Sequence, residues 1–561
     1  MRASRVVSFF GLVSCAFGCA AATAERAPSV LGAATPPAVD IAKARAAAEP
    51  QLFTWAPFSK ETFARARAEH RFILLHGAAV WCHWCHVMEA ITYRDPVVGR
   101  LLRDRFIAVR VDIDSMPDIA ERYGNWGWPA TILFSPDAQE VGKFRGYIPP
   151  AELAEALENV TTQHAAWAPG RNAEPGAASA PVAALPWLLQ RGAFDMDAFY
   201  DVTHGGWGMR QKAPLGANAE FELLRGAGGD AEARLRALFT LKQQAALIDP
   251  VWGGVYQYSV DGDWRAPHFE KLIPFQAANI EAYAQAFQSS HEPAFRADAE
   301  AIFRYVARFL TSPNGTFYVS QDADVGAHDD HARFVDGHKY YTSNERERLA
   351  LGMPDIDRHV YAFENGLMIA ALCRLYSATG NESALAAARK AADAILISHV
   401  EPRGTVLHDA TSSDKVHFLA DGAAFGRGLL RLYSVTHDAK YRAGAERIAK
   451  GLEALFDPAL GAYFAHDADP DAAGVFATRR HPFEHNVQMA RFLNALFEAT
   501  DDAAYRARAQ VVLASISTPA ALDAQGRLLG EYLLALSELE TGSAKKDATA
   551  DVSPKQSPTG H

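Results

Sequence analysis

The chain has 561 residues, 49% of them apolar and 22% charged, with a formal net charge of −11. That length exceeds what one hydrophobic core holds, so two or more domains are expected of an otherwise ordinary folded composition. The acidic balance excludes a nucleic-acid partner, because phosphate binding needs a basic surface.

At the N-terminus, Arg2 and Arg5 precede an apolar stretch over residues 6–17 and the small-residue string Ala22-Thr23-Ala24. This pattern predicts an export signal over residues 1–24 and an exported, periplasmic or secreted, mature protein. A lipoprotein signal ending at Cys15 (Leu12-Val13-Ser14-Cys15) or at Cys19 is the alternative, and only that form would meet a membrane. Residues 25–50 are rich in Ala and Pro and read as a flexible tether. Beyond the first residues no apolar run is long enough to span a bilayer.

From residue 51 to 163 helices alternate with strands, as in a small α/β domain. Ser59 caps a helix running to His70, residues 71–79 form a buried strand, and a helix carrying Cys82 and Cys85 follows. Residues 106–111, 130–134 and 141–147 read as three more strands before a helix from Pro150. Pro, Gly and Ala dominate residues 164–185, which read as a linker. Residues 186–540 are helical in pattern, and the polar tail 541–561 is expected to be disordered.

An internal repeat organises the helical part. Leu372-Cys373-Arg374-Leu375-Tyr376-Ser377-Ala378-Thr379 recurs as Leu429 to Thr436, as Leu493 to Thr500 and, more weakly, around residues 284–291. Each copy precedes an Ala-rich amphipathic helix, and loops of Gly plus aromatics (Gly205-Gly206-Trp207, Gly253-Gly254-Val255-Tyr256, Gly315-Thr316-Phe317-Tyr318, Gly461-Ala462-Tyr463-Phe464) separate the units. Repeated helical hairpins stack or close, and their uneven spacing predicts an all-α (α/α)6 toroid.

Five cysteines occur, and Cys82 and Cys85 stand two residues apart in Trp81-Cys82-His83-Trp84-Cys85-His86, just after a strand. A dithiol there suits thiol–disulfide exchange, because the helix N-terminus favours a thiolate and the spacing lets one sulfur resolve the other's mixed disulfide. Trp128-Pro129, 44 residues after Cys85 and ahead of a strand, fits the cis-proline loop that faces the cysteines in thioredoxin-like folds. Cys82-x-x-Cys85-His86 also completes a c-type haem attachment string, disfavoured by its α/β setting. Metal binding by Cys82, Cys85, His83 and His86 is disfavoured too: four donors in five residues do not converge on one tetrahedral ion, and no metal is expected. A purely structural disulfide is the remaining reading.

The segment from Trp81 to Met88, Val111-Asp112 and Gly127-Trp128-Pro129 resemble the thioredoxin-like domain of the spermatogenesis-associated protein 20 family. The stretch Gly253 to Asp261, then Trp264-Arg265-Ala266-Pro267-His268-Phe269-Glu270-Lys271, and the loop Gln321-Asp322-Ala323-Asp324 resemble its second half. The resemblance implies a thioredoxin-like domain fused to a six-hairpin, glycosidase-like toroid, with presumed redox activity and an open substrate. Leu272-Ile273-Pro274-Phe275 stands where the family carries an acidic loop side chain, and His76 stands six residues before Cys82, where thioredoxins hold a buried acid.

On this reading Cys82 attacks and Cys85 resolves, with no cofactor beyond the dithiol. Trp81, Trp84, Trp128 and Pro129 shape the client edge. Either His76 takes up the resolving thiol's proton, or His83 and His86 instead lower the thiol pKa and His76 is a satisfied core residue. Protein thiols or disulfides are the partners. In the toroid, His268, Glu270, Asp322, Asp324, Asp421, Glu484 and His485 are funnel candidates, with Trp207, Tyr256, Trp264 and Tyr318 to stack on a carbohydrate. Against a glycosidase- or epimerase-like toroid stand recognition and scaffold roles, and a non-catalytic binding protein.

Overall fold

In the computed structural model of this chain, residue 41 and residues 50–124, 127–163, 179–328, 333–413, 416–470 and 472–550 are described. The expected signal, nearly all of the tether, and linker residues 164–178 lie outside them.

The first domain is built on α1 (Lys60–Glu69), β1 (Phe72–Ala78), α2 (His83–Ala90), α3 (Pro96–Arg105), β2 (Phe106–Asp112), α4 (Pro117–Tyr123), β3 (Ala130–Phe134), β4 (Glu140–Arg145) and α5 (Pro150–Gln163). Ser59 caps α1 by accepting the Thr62 amide. The sheet order is β2-β1-β3-β4, with β1 and β2 parallel and the other pairs antiparallel. β1 and β3 are buried along their whole length because helices cover both faces, which is why they read as unbroken apolar runs.

Six inner helices form a closed ring: Gly216–Ala227, Ile273–Ser290, Ala362–Thr379, Leu419–Thr436, Phe483–Thr500 and Gly530–Ala550, each packed on the next and the last on the first. Their outer partners are Ala231–Gln244, Pro293–Phe309, Glu382–Ser398, Ala439–Leu452, Ala503–Ile516 and, closing the ring, Leu185–Asp197. The sequence repeat is the code of the hairpin turn. Thr379, Thr436 and Thr500 each donate to the carbonyl four residues back and accept the amide two residues on. Between them Gly380, His437 and Asp501 take left-handed backbone, and Asn381, Asp438 and Asp502 cap the outer helix.

The Gly-aromatic loops are framework. Side-chain amides of Gln276, Asn365 and Asn486, near the start of three inner helices, each bond both backbone groups of a loop residue: Val255, Phe317 and Tyr463. Lys271 of the Pro-His-Phe-Glu-Lys string is fully buried, holding Asp249 at 2.7 Å and the Gly253 carbonyl at 2.9 Å, and Lys212 grips Asp201 and Gly205 in the same manner. Trp207, Tyr256 and Trp264 are correspondingly buried and Tyr318 partly so, packed in the toroid core. The expectation that they stack on sugar is corrected for Trp207 and Trp264, whose rings the tethered loops shut into the core. Two boundaries also differ. A helical turn at Val182–Ala184 lies inside the expected linker, and the last helix continues to Ala550, into the expected tail.

Candidate functional site

β1 delivers the chain into a short turn, and Cys82 then serves as N-cap of α2, its sulfur accepting the Cys85 amide at 3.2 Å. Cys82 and Cys85 are joined as a disulfide with Cα atoms 5.3 Å apart. The Trp128–Pro129 peptide is cis, the geometry expected of that loop. The Trp128 ring lies so close to the β1 backbone that a Cβ at Gly77 would sit 2.8 Å from it.

The disulfide is shut in. Cys82 is 3% exposed and Cys85 0%, in an apolar cluster with Ala78, Ala79, Trp81 and Ile113 to which the toroid adds Leu272 and, partly buried, Phe275. These two come from Leu272-Ile273-Pro274-Phe275, where the chain enters the second inner helix, and they join the apolar cluster that holds the cysteines.

Around this lid the two domains exchange charge. Glu270 accepts the His83 amide at 3.4 Å, next to the disulfide at the start of α2. His83 Nδ1 meets Asp324 Oδ2 at 2.7 Å, while His86 lies between Asp324 (3.5 Å) and Asp322 (3.7 Å). Burial alone would lower both imidazoles, but the facing carboxylates prevail: His83 is pushed up to about 9 and His86 is also raised. Burial would raise Asp324, but the hydrogen bond from His83 and the neighbouring charges of His83 and His86 hold it well below the ordinary carboxylate range.

On the other side of the disulfide, the Trp81 indole donates to Asp114 Oδ2 at 2.7 Å, and His408 of the toroid bonds the Asp114 carbonyl at 2.8 Å. Asp421 backs His408 at 3.0 Å and accepts the Phe363 amide. Burial pushes His408 down, yet Asp421 raises it to about 9. Farther out, Val475 donates to the Ala138 carbonyl, and Phe476 enters the first domain's core against Phe58, Phe63 and Phe134.

The toroid candidates therefore do not converge on one catalytic point. Glu270, Asp322 and Asp324 face α2, and His268 lies 3.7 Å from Glu270 and stacks on Tyr258. Asp421 serves His408, and His485 is half-buried. Glu484 lines a separate cavity of about 280 Å³ with Phe275, Phe483, Glu531 and Tyr532. His76 does not couple to the cysteines through any hydrogen bond of its own. It is buried against Tyr93 (3.2 Å) and Glu89 (3.6 Å), stacked on Trp55, and burial lowers its pKa. Trp84 is tilted over Tyr147 and His268. Sequence reasoning missed Asp114 and His408, which long-range packing brings to the disulfide. Only the lid was signalled, by its departure from the family pattern.

A sheet of this order, a cysteine pair opening the helix after β1 and a cis-proline strand start, fused to a closed ring of helical hairpins, define a thioredoxin-like domain on an (α/α)6 toroid. The first domain belongs to the thioredoxin-like family: it is 31% identical over 86 residues to a thioredoxin-like protein of Synechocystis, covering 78% of that protein and 15% of this chain. A family described as "Protein of unknown function, DUF255" (Thioredox_DsbH) matches residues 45–172, and "Beta-L-arabinofuranosidase, GH127 catalytic domain" matches residues 275–519. The particular relative is spermatogenesis-associated protein 20: the Homo sapiens protein is 31% identical over 315 residues, 48% of this chain and 39% of that one. The Mus musculus protein is 30% identical over 312 residues, 48% and 38%. The matched region thus spans about two fifths of those relatives. Among solved structures, cellobiose 2-epimerase from Spirochaeta thermophila is 11% identical, covering 66% of this chain and 98% of that one, with a TM-score of 0.49.

Proposed function

We propose that this chain is an exported thiol–disulfide oxidoreductase whose redox couple is Cys82/Cys85 and whose toroid selects and gates the client. The observation that carries the reading is the cysteine pair at the start of α2 with the cis Trp128–Pro129 peptide in the same fold. In the reducing direction the Cys82 thiolate attacks one sulfur of a client disulfide and displaces the other as a thiolate. Cys85, deprotonated, then attacks Cys82 Sγ, releasing the second client thiolate and leaving the Cys82–Cys85 disulfide; the client takes up two protons. The helix N-terminus and the imidazolium of His83 favour the attacking thiolate. With both sulfurs buried, a polypeptide client reaches Cys82 only after Leu272 and Phe275 move off the disulfide. Export, as a soluble or a lipid-anchored protein, would supply the oxidising compartment in which such a pair cycles.

Expression of the Cys85→Ser protein in an exporting host tests this. Mixed disulfides that disappear when Cys82 is also replaced are the expected result. No trapped partner, together with no activity on a model disulfide, refutes it. A carbohydrate ligand is the second reading, favoured by the acid-lined cavity at Glu484 and Glu531; sugar binding by the full chain that Glu484→Gln abolishes is its test.

A further inference from the structure

The Cys82–Cys85 chemistry leaves one buried group unused. His86 is 5% exposed, and neither ring nitrogen makes a hydrogen bond. Nε2 is aimed at Asp322 Oδ2, 3.7 Å away, too long for a hydrogen bond. His328 Nε2 approaches the same oxygen at 3.0 Å and the Val80 carbonyl at 3.0 Å, with its ring perpendicular to that of His86, centroids 4.7 Å apart. The three side-chain ligand atoms lie within 4.8 Å of one another.

We infer that His86, Asp322 and His328, with the Val80 carbonyl beside them, form a site for a divalent transition ion of the zinc class, joining α2 to the toroid next to the disulfide. Ligands of a tetrahedral ion bound at 2.0–2.2 Å stand about 3.3–3.6 Å apart, and the 3.0 and 3.7 Å separations bracket that edge. Imidazole and carboxylate together suit zinc or cobalt, whereas calcium and magnesium take oxygen alone. An ion there gives His86 Nε2 the close partner it lacks, between the Asp322 carboxylate and the His328 ring. The ligands come from residues 80–86 and 322–328, so the four donors of the cysteine string considered in isolation do not display the site. A second group, His83, Asp324 and Asp336, is less suited, because its imidazole is already bonded to Asp324 at 2.7 Å and it has no counterpart of the buried, unpartnered His86 ring.

The test uses the full chain, untagged and oxidised, so that the closed disulfide offers no thiolate. It is loaded with cobalt(II) or zinc(II) alone and passed through a desalting column. One retained ion per chain, with the visible absorption of tetrahedral cobalt and no thiolate charge-transfer band, is expected. His328→Ala, on a half-exposed side chain, and Asp322→Asn are each expected to weaken binding by about tenfold or more, and Asp336→Ala to leave it unchanged. Circular dichroism checks that each variant is folded. No retained ion, equal retention by the His328 and Asp322 variants, or loss in the Asp336 variant overturns the assignment.

Discussion

Replacing His83 by Gln probes how the two domains are held together. The imidazole sits against Asp324 at 2.7 Å with its side chain only 19% exposed, and is raised from an ordinary 6.5 to about 9. At about 1.4 kcal/mol per pH unit, that difference corresponds to about 3 kcal/mol of stabilisation, of which about 2–3 kcal/mol operates at neutral pH. A raised folded-state pKa sets the sign. The stabilisation is complete below about pH 6.5, falls as the pH rises, and is lost above about pH 9. Glutamine retains a hydrogen bond to Asp324 without the charge. Urea unfolding of the wild-type and His83→Gln proteins, followed in the transition that opens the first domain, is therefore expected to differ by about 2 kcal/mol near pH 6 and to coincide near pH 10. A difference that stays constant across that range, or grows with pH, refutes the pairing.

Leu272→Ala strips part of the disulfide's cover, so the Cys82–Cys85 bond is expected to be reduced faster by dithiothreitol in a stopped-time alkylation assay, alongside a loss of about 2–4 kcal/mol. An unchanged reduction rate means that the lid does not gate the sulfurs. Lys271→Ala leaves Asp249 paired with Arg348 but removes the bond that ties the Gly253 carbonyl and opens a cavity beside Tyr256, Tyr305 and Tyr341, which costs about 2–4 kcal/mol and is expected to appear as a lowered thermal midpoint by circular dichroism. Gly366→Ala places a Cβ 2.5 Å from the backbone of the neighbouring inner helix at Ala424 and Phe425, so it is expected to yield little soluble protein. A stable, native-like Gly366→Ala protein would show that the inner helices separate easily.

The α/β domain was legible because its evidence is local: buried strands read as apolar runs, and Ser59 and Pro129 mark turns. Four of the six hairpins showed through the Thr379, Thr436 and Thr500 turn code and its weaker copy near Ser290. The other two did not. The Gly216–Ala227 pair lacks that turn, and the ring is closed by Leu185–Asp197 packing on Gly530–Ala550, more than three hundred residues away. Chemistry was harder to read than fold. Spacing brought out Cys82 and Cys85 but said nothing of what covers them, and Trp207 and Trp264 looked like sugar platforms because burial does not follow from residue type alone. Glu270, Asp322 and Asp324 read as funnel acids and do sit together, but against α2.

That placement changes what the toroid acids can do. A carboxylate pair that cleaves a glycosidic bond must have the sugar between its members. Here Asp324 is bonded to His83, Glu270 to the α2 backbone, and the Asp421–His408 pair to the Asp114 carbonyl, so each acid already has a partner from, or facing, the first domain. Sugar chemistry at these acids and docking of the thioredoxin-like domain thus compete for the same oxygens. In this arrangement the facing carboxylates raise both His83 and His86, so the acids act on the first domain's imidazoles rather than on a ligand of the ring.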